Sequence, residues 1–294
     1  MSTMSNVMFT MNHFKKISNE KGNTIYIEGG PGKGLSNNMW AIATAIYYRE
    51  NYGMNIMLRE TDSILFGTSN KFGRKTYKIE NGKILSYKDT FFKKLMFYTG
   101  DVKEQVDILH NDFTNNKPIP RRSVMVRGFC ANMNLFHSIH NKIPNYLHLH
   151  DESTIQYIRN KYENIENGIM IGIRRGPDGG FKKITQESYK NALERLKSMD
   201  IDISNLFILT DVAGAWGDII GLESEYPAIE IREDDYTQFI AGMMCQHFII
   251  TESSYHWWIA YMGIIDNPVK KVLYFDESDL TRRDLTMNDW IKIK

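Results

Sequence analysis

Apolar positions along this chain recur with two periods, and the switches between them mark out strands and helices. Residues 24–28 (Thr-Ile-Tyr-Ile-Glu) form a β-branched and aromatic run that predicts a first strand. A break follows at Gly29-Gly30-Pro31-Gly32-Lys33-Gly34. Met39, Ile42, Ala43, Ile46 and Tyr47 then fall at helical spacing, and Gly53 closes that helix. Residues 55–58 read as the next strand. Residues 60–88 keep no period, and their glycines with Asn81-Gly82 predict a loop and a hairpin. The pattern continues with helices over 89–98 and 101–110, a strand over 123–129, and a helix over 130–145 broken at Pro144. A further helix runs from Asp151 to about Tyr162.

From residue 169 the alternation becomes regular. Strands are predicted at 169–173, 206–210, 228–231, 248–251 and 271–275. Between them stand a Thr185-capped helix with Tyr189, Ala192, Leu193 and Leu196 facing in, and one lined by Tyr236, Phe239, Ile240, Met243 and Met244. A third helix, over 254–262, is entered through Ser253 and Ser254. Strands alternating with amphipathic helices predict an α/β fold with a parallel sheet covered on both faces. The polar bridge 163–167 suggests the division of the chain. We expect a flexible N-terminus (1–22), an N-terminal α/β domain (23–165) and a C-terminal Rossmann-like domain (166–294).

Bulk properties narrow the function classes. With 294 residues, a full core can be buried, and 36 basic against 35 acidic side chains give a net charge of +1. Such a balance exerts no overall pull toward nucleic acid or anionic membranes. Neither a membrane-length apolar run nor a signal-peptide pattern is present, so a cytoplasmic protein without a membrane span is expected. Cys130 and Cys245 lie in separate apolar segments and read as buried free thiols. His110, His137, His140, His148 and His150 show no metal-ligand spacing, and no metal site is expected. Trp257 and Trp258, at the start of a helix, read as core.

The loop 29–34 fails both phosphate fingerprints. No Lys-Ser or Lys-Thr pair follows its last glycine, and the glycines do not fall as G-x-G-x-x-G. Candidate chemistry lies later, because open parallel sheets bind ligands beyond the carboxyl ends of their strands. Three groups fall there: Arg174 with Arg175, Asp211, and Ser253 with Ser254. Paired guanidiniums offer forked donors to a diphosphate, and a helix amino end adds free N–H groups and positive potential. Asp211 suits a ribose or base.

The same residues carry a resemblance. Gly172-Ile173-Arg174-Arg175-Gly176-Pro177-Asp178 resembles the His-x-Arg-Arg-x-Asp motif of the α-1,2- and α-1,6-fucosyltransferase superfamily. Ser253-Ser254-Tyr255-His256-Trp257-Trp258-Ile259-Ala260-Tyr261 is similar to the Ser-x-Phe-Ser-Trp-Trp-x-Ala block of glycosyltransferase family 11. Residues 34–43 resemble that family's Gly-Leu-Gly-Asn-Gln-Met-Phe segment, Leu209-Thr210-Asp211 stands at its Phe-Ser-Asp-Asp, and residues 284–290 echo a closing tryptophan. The resemblance implies a GT-B arrangement of two Rossmann-like domains facing a cleft, with no metal and no cofactor beyond the sugar nucleotide.

It further implies an inverting transfer, most simply of L-fucose from GDP-fucose to a glycan hydroxyl. Arg174, Arg175, Asp211, His247, Ser253, Ser254 and Tyr255 become donor-site candidates, and Arg174 and Asp178 catalytic ones. Gly34, Asn37, Asn38 and Asp151 are the acceptor-side candidates, with Glu28, Asp62 and Asp151 as further choices for the base. Three departures stand out. The motif histidine, which the resemblance places near guanine, is Gly172; Pro177 is an extra residue before Asp178; and the second serine of the tryptophan block is His256. They leave open a different GDP- or UDP-linked sugar, or a glycan- or nucleotide-binding relative without turnover.

Overall fold

The computed structural model describes residues 22–28, 34–65, 78–80, 83–102, 106–109, 122–126, 133–175, 184–265, 267, 269–275 and 285–293. The expectations for residues 1–21, the loop 29–33, Cys130 and Asp178 lie outside those residues.

Two parallel sheets organise the chain. The first has the order β5-β2-β1-β7-β6, from β1 (Thr24–Ile27), β2 (Asn55–Arg59), β5 (Met96–Tyr98), β6 (Asp107–Leu109) and β7 (Val124–Val126). The second has the order β10-β9-β8-β11-β12-β13. Its strands are β8 (Ile169–Ile173), β9 (Leu206–Thr210), β10 (Ala228–Glu230), β11 (His247–Ile250), β12 (Val272–Phe275) and β13 (Ile291–Ile293). A separate antiparallel pair, β3 (Lys78–Glu80) and β4 (Lys83–Leu85), sets Glu80 opposite Lys83 and so brackets the predicted Asn-Gly hairpin turn.

Helix α1 (Leu35–Tyr52) connects β1 to β2 and ends at Gly53, whose φ of 67° is left-handed and suits glycine. The short helices α2 (Asp62–Leu65), α3 (Met133–His137) and α4 (Ile143–Tyr146) and the ten-residue α5 (Glu152–Lys161) fill the middle of the chain. In the second half, α6 (Gln186–Lys197), α7 (Asp235–Met244) and α8 (Ser254–Ile264) cover the sheet. Thr185 and Asp234 accept hydrogen bonds from the first-turn N–H groups of α6 and α7, as N-caps do.

Period-2 alternation sorts the second sheet onto two cores. Ile169, Ile171 and Ile173 face α6, packing with Tyr189, Leu193, Leu196 and Trp216. Met170 faces the opposite way, into a cluster that continues through α7 and α8 to α1 and the first sheet. At the heart of that cluster Trp40 of α1 lies 4.5 Å from Trp257 and 4.8 Å from Trp258, between ring centroids. Phe136 of α3 meets Trp257 at 5.2 Å and Tyr261 at 4.6 Å. Both tryptophans are core, as the sequence predicts. This apolar seam ties the helices of the two sheets into one packed unit.

Three expectations are corrected. Within the stretches expected as helices over 89–98 and 101–110 the described residues form strands: after a turn, Met96–Tyr98 pairs with β2, and Asp107–Leu109 pairs with β7. Strands of three residues are too short to declare a period, and sheet pairing overrides helix propensity there. Pro144 does not break a helix but opens one, at the first turn of α4, where a missing N–H costs nothing. The terminal strand β13 was not foreseen.

Burial gives one pH expectation. His247 begins β11, and its Nδ1 accepts a 3.0 Å hydrogen bond from the Lys271 backbone N–H. Burial, with Lys270 and Lys271 nearby, lowers its pKa. The unfolded chain then binds the proton first as pH falls below about 6.5, so stability drops on acidification. His247→Asn, which keeps an acceptor but cannot charge, is expected to lessen that drop in urea midpoints between pH 7.5 and 5.5. An unchanged drop would remove His247 as a source.

Candidate functional site

Strand order decides where the chemistry collects. From β8 the chain steps outward to β9 and β10, then returns to the other side of β8 with β11 and steps outward again to β12 and β13. β8 and β11 therefore flank the switch point, beyond whose carboxyl ends an open parallel sheet binds ligands. Their register pairs His247 with Ile169 and Ile249 with Ile171, so both strands end at the same level. Arg174 and Arg175 leave β8 there, Thr251 to Ser254 leave β11, and Asp211 leaves the adjoining β9.

Arg174 Nη1 donates to Asp211 Oδ2 at 2.5 Å, and the other oxygen of Asp211 accepts the Arg175 backbone N–H at 2.8 Å. The Arg174 side chain is 25% exposed while Asp211 is 8% exposed. Asp211 thus aims Arg174, with both of its oxygens accepting hydrogen bonds. Arg175 donates from Nη2 to the Ile184 carbonyl at 2.7 Å and has a buried Nε without a partner. Its guanidinium is turned toward the start of α6.

At the end of β11, Ser253 occupies the N-cap position of α8 but makes no side-chain cap bond, and the first turn holds no acidic residue. The amino end is left as an uncapped, electropositive turn. Ser254 Oγ donates to Asn37 Oδ1 at 3.0 Å and lies 3.1 Å from Ser36 Oγ, so in this structure it is bonded to α1. The Tyr255 hydroxyl donates to the Asp235 carbonyl at 2.7 Å and its ring packs on Phe239.

The Ser254 contact brings the amino end of α1 to that of α8. Gly34, at the N-cap of α1, carries no side-chain cap either, and that first turn is also free of acids. Two positive helix ends therefore meet at the junction of the sheets. Asn37 lies at the junction, half-buried, whereas Asn38 is 1% exposed and sits within the core. Asp151 caps α5, its Oδ2 accepting from the Thr154 N–H at 3.0 Å and from Ser153 Oγ at 2.8 Å. Glu28, at the carboxyl end of β1, binds Arg59 Nη1 at 2.6 Å, and Arg59 also reaches Asp101 at 2.9 Å.

His247 is placed far from these groups. It lies at the amino end of β11, a strand length of roughly 10 Å below the carboxyl ends. Another histidine, His256, lies in the first turn of α8 against Gly172 of β8. Sequence reasoning met these two residues only as separate departures. Among the described residues, no three His, Cys, Asp or Glu side chains gather as a metal-ligand set, and no helix is long and apolar enough to cross a membrane.

No protein-family model matches the sequence, and no curated protein matches it. Among solved structures the chain is similar to the α-1,6-fucosyltransferase NodZ co-crystallised with GDP, with a TM-score of 0.49 and 12% identity over 88% of this chain and 97% of that one. It is similar to POFUT1 in complex with GDP at 0.49 and 10%, over 87% and 99% of the two chains. A mutant of Arabidopsis thaliana FUT1 in complex with GDP gives 0.48 and 10%, over 94% and 77%.

Proposed function

We propose that this chain is an inverting glycosyltransferase of the GT-B type, taking a nucleoside-diphosphate sugar, GDP-fucose foremost, and passing the sugar to a glycan hydroxyl. The observation that carries this reading is one juxtaposition. A partly open Arg174, aimed by Asp211, stands beside the uncapped amino end of α8 across the switch point. Guanidinium and helix end together form a cradle for a diphosphate, and they oppose the charge that develops as the sugar–oxygen bond breaks. The motif resemblance supplies the sugar and the nucleotide.

In this reading residues 166–294 hold the donor and residues 23–165 receive the acceptor. Arg174 stabilises the departing diphosphate. A carboxylate removes the proton from the acceptor hydroxyl, which attacks the sugar carbon from the face opposite the leaving group. Of the bases considered, Asp151 is occupied by its helix cap. Glu28 is likewise engaged, by Arg59, so the base we adopt is Asp178, the carboxylate of the resembled arginine motif. No step requires a metal or a further cofactor.

The test is calorimetric titration with GDP, UDP and dTDP, followed by incubation with the matching sugar nucleotides and a panel of glycans. GDP binding and fucosyl transfer are the expected results. Binding of UDP without GDP would remove fucose, and binding without transfer or donor hydrolysis would make the chain a non-catalytic relative.

A further inference from the structure

The end of β8 and the first turn of α8 interlock at one contact. A Cβ built on Gly172 would fall 2.4 Å from His256 Nδ1, 2.6 Å from its Cγ and 2.8 Å from its Cε1. Real carbon atoms do not approach a buried ring so closely, so position 172 must be glycine while the imidazole is where it is. The ring is held in turn. His256 is 4% exposed, and its Nδ1 shares a 3.1 Å hydrogen bond with Oγ1 of Thr251, the first residue beyond β11. Tyr189 donates to the Gly172 carbonyl at 3.1 Å, steadying β8.

One imidazole therefore touches both strands of the switch point. It bears on β8 two residues before Arg174 and on the segment beyond β11 two residues before Ser253. It also belongs to α8, whose amino end faces the proposed diphosphate. The two departures from the resembled motifs, glycine for histidine at 172 and histidine for serine at 256, fall on this single contact.

We propose that His256 is a positioning residue of the donor site. Its ring, seated on Gly172, sets the distance between Arg174 and the amino turn of α8, and so the fit of a nucleoside diphosphate. This inference rests on the donor-site reading above. A ring in van der Waals contact with backbone acts as a spacer about 3.5 Å thick. Shrinking it lets the helix turn settle toward the strand and takes the N–H groups off the line of the guanidinium.

The experiment compares Gly172→Ala, His256→Ala, His256→Asn and the alanine double variant, by thermal unfolding and by GDP titration well below each transition. Gly172→Ala is expected to destabilise by overpacking, and the double variant to recover part of that loss because the methyl enters the vacated space. His256→Ala is expected to weaken GDP binding roughly 10-fold or more while remaining folded, and His256→Asn, which keeps a partner for Thr251, to recover part of the affinity. His256→Ala only removes atoms, so it keeps the test open if Gly172→Ala does not fold. Wild-type GDP affinity in His256→Ala would overturn the positioning role while leaving the donor site standing. Strictly additive stabilities would refute the contact itself. Absence of GDP, UDP and dTDP binding by the wild-type protein would instead remove the donor-site reading, and this role with it.

Discussion

Replacing Arg174 with alanine is expected to abolish sugar transfer, lowering kcat/KM by roughly 10²–10³-fold or more, with a parallel loss of GDP affinity. The expectation follows from its placement. Its guanidinium leaves the end of β8 partly exposed, fixed in direction by a carboxylate that is itself nearly buried. Such preorganised cations act most strongly where leaving-group charge appears, because no reorganisation is needed at the moment of bond breaking. The fold should survive, since Asp211 keeps its bond from the Arg175 backbone N–H. Arg174→Lys separates charge from shape. A point charge without the fork is expected to recover only part of the activity. Kinetics of the three proteins on one donor check the claim, and an alanine variant within a few-fold of wild type would refute it.

Trp257→Ala is expected to give the largest loss of stability, about 3–5 kcal/mol. Trp257 is fully buried and stacks on Tyr261 at 5.2 Å with an interplanar angle of 16°. It also lies near Trp40, Phe136, Trp258 and Trp290, and donates through Nε1 to the Leu285 carbonyl at 2.5 Å. Truncation opens a cavity at the seam between the sheets and deprives a buried carbonyl of its donor. Trp257→Phe keeps most of the ring and should lose less. Because the seam is shared, urea unfolding followed by fluorescence and by circular dichroism should give one coincident transition that shifts as a whole. Two separable transitions, with only the later one moved, would show that the sheets do not depend on this residue together.

Much of the architecture was legible beforehand. The strands at 169–173, 206–210 and 248–250, the helix faces of α6 and α7, and the burial of Trp257 and Trp258 follow from side-chain period and size, which are local properties. The placing of Arg174, Asp211 and Ser253 at strand ends was legible for the same reason. The edge strands β5 and β6 were not, since three residues that gain their stability from neighbours carry no pattern of their own. His247 begins β11 and so stands at its amino end, away from the carboxyl ends where Arg174 and Ser253 lie.

By itself, then, the order of residues determined which segments extend, which coil, and which side chains they turn inward, because each depends on neighbours a few positions away. Tertiary structure alone decided that β8 lies beside β11, bringing Arg174 to the amino end of α8. It likewise decided which polar groups are already engaged: Asp211 by Arg174, Ser254 by Ser36 and Asn37, Asp151 by its own helix. Hydrogen bonds and ring contacts between distant segments arise only once strand order is set, and His256 resting on Gly172 is the sharpest instance.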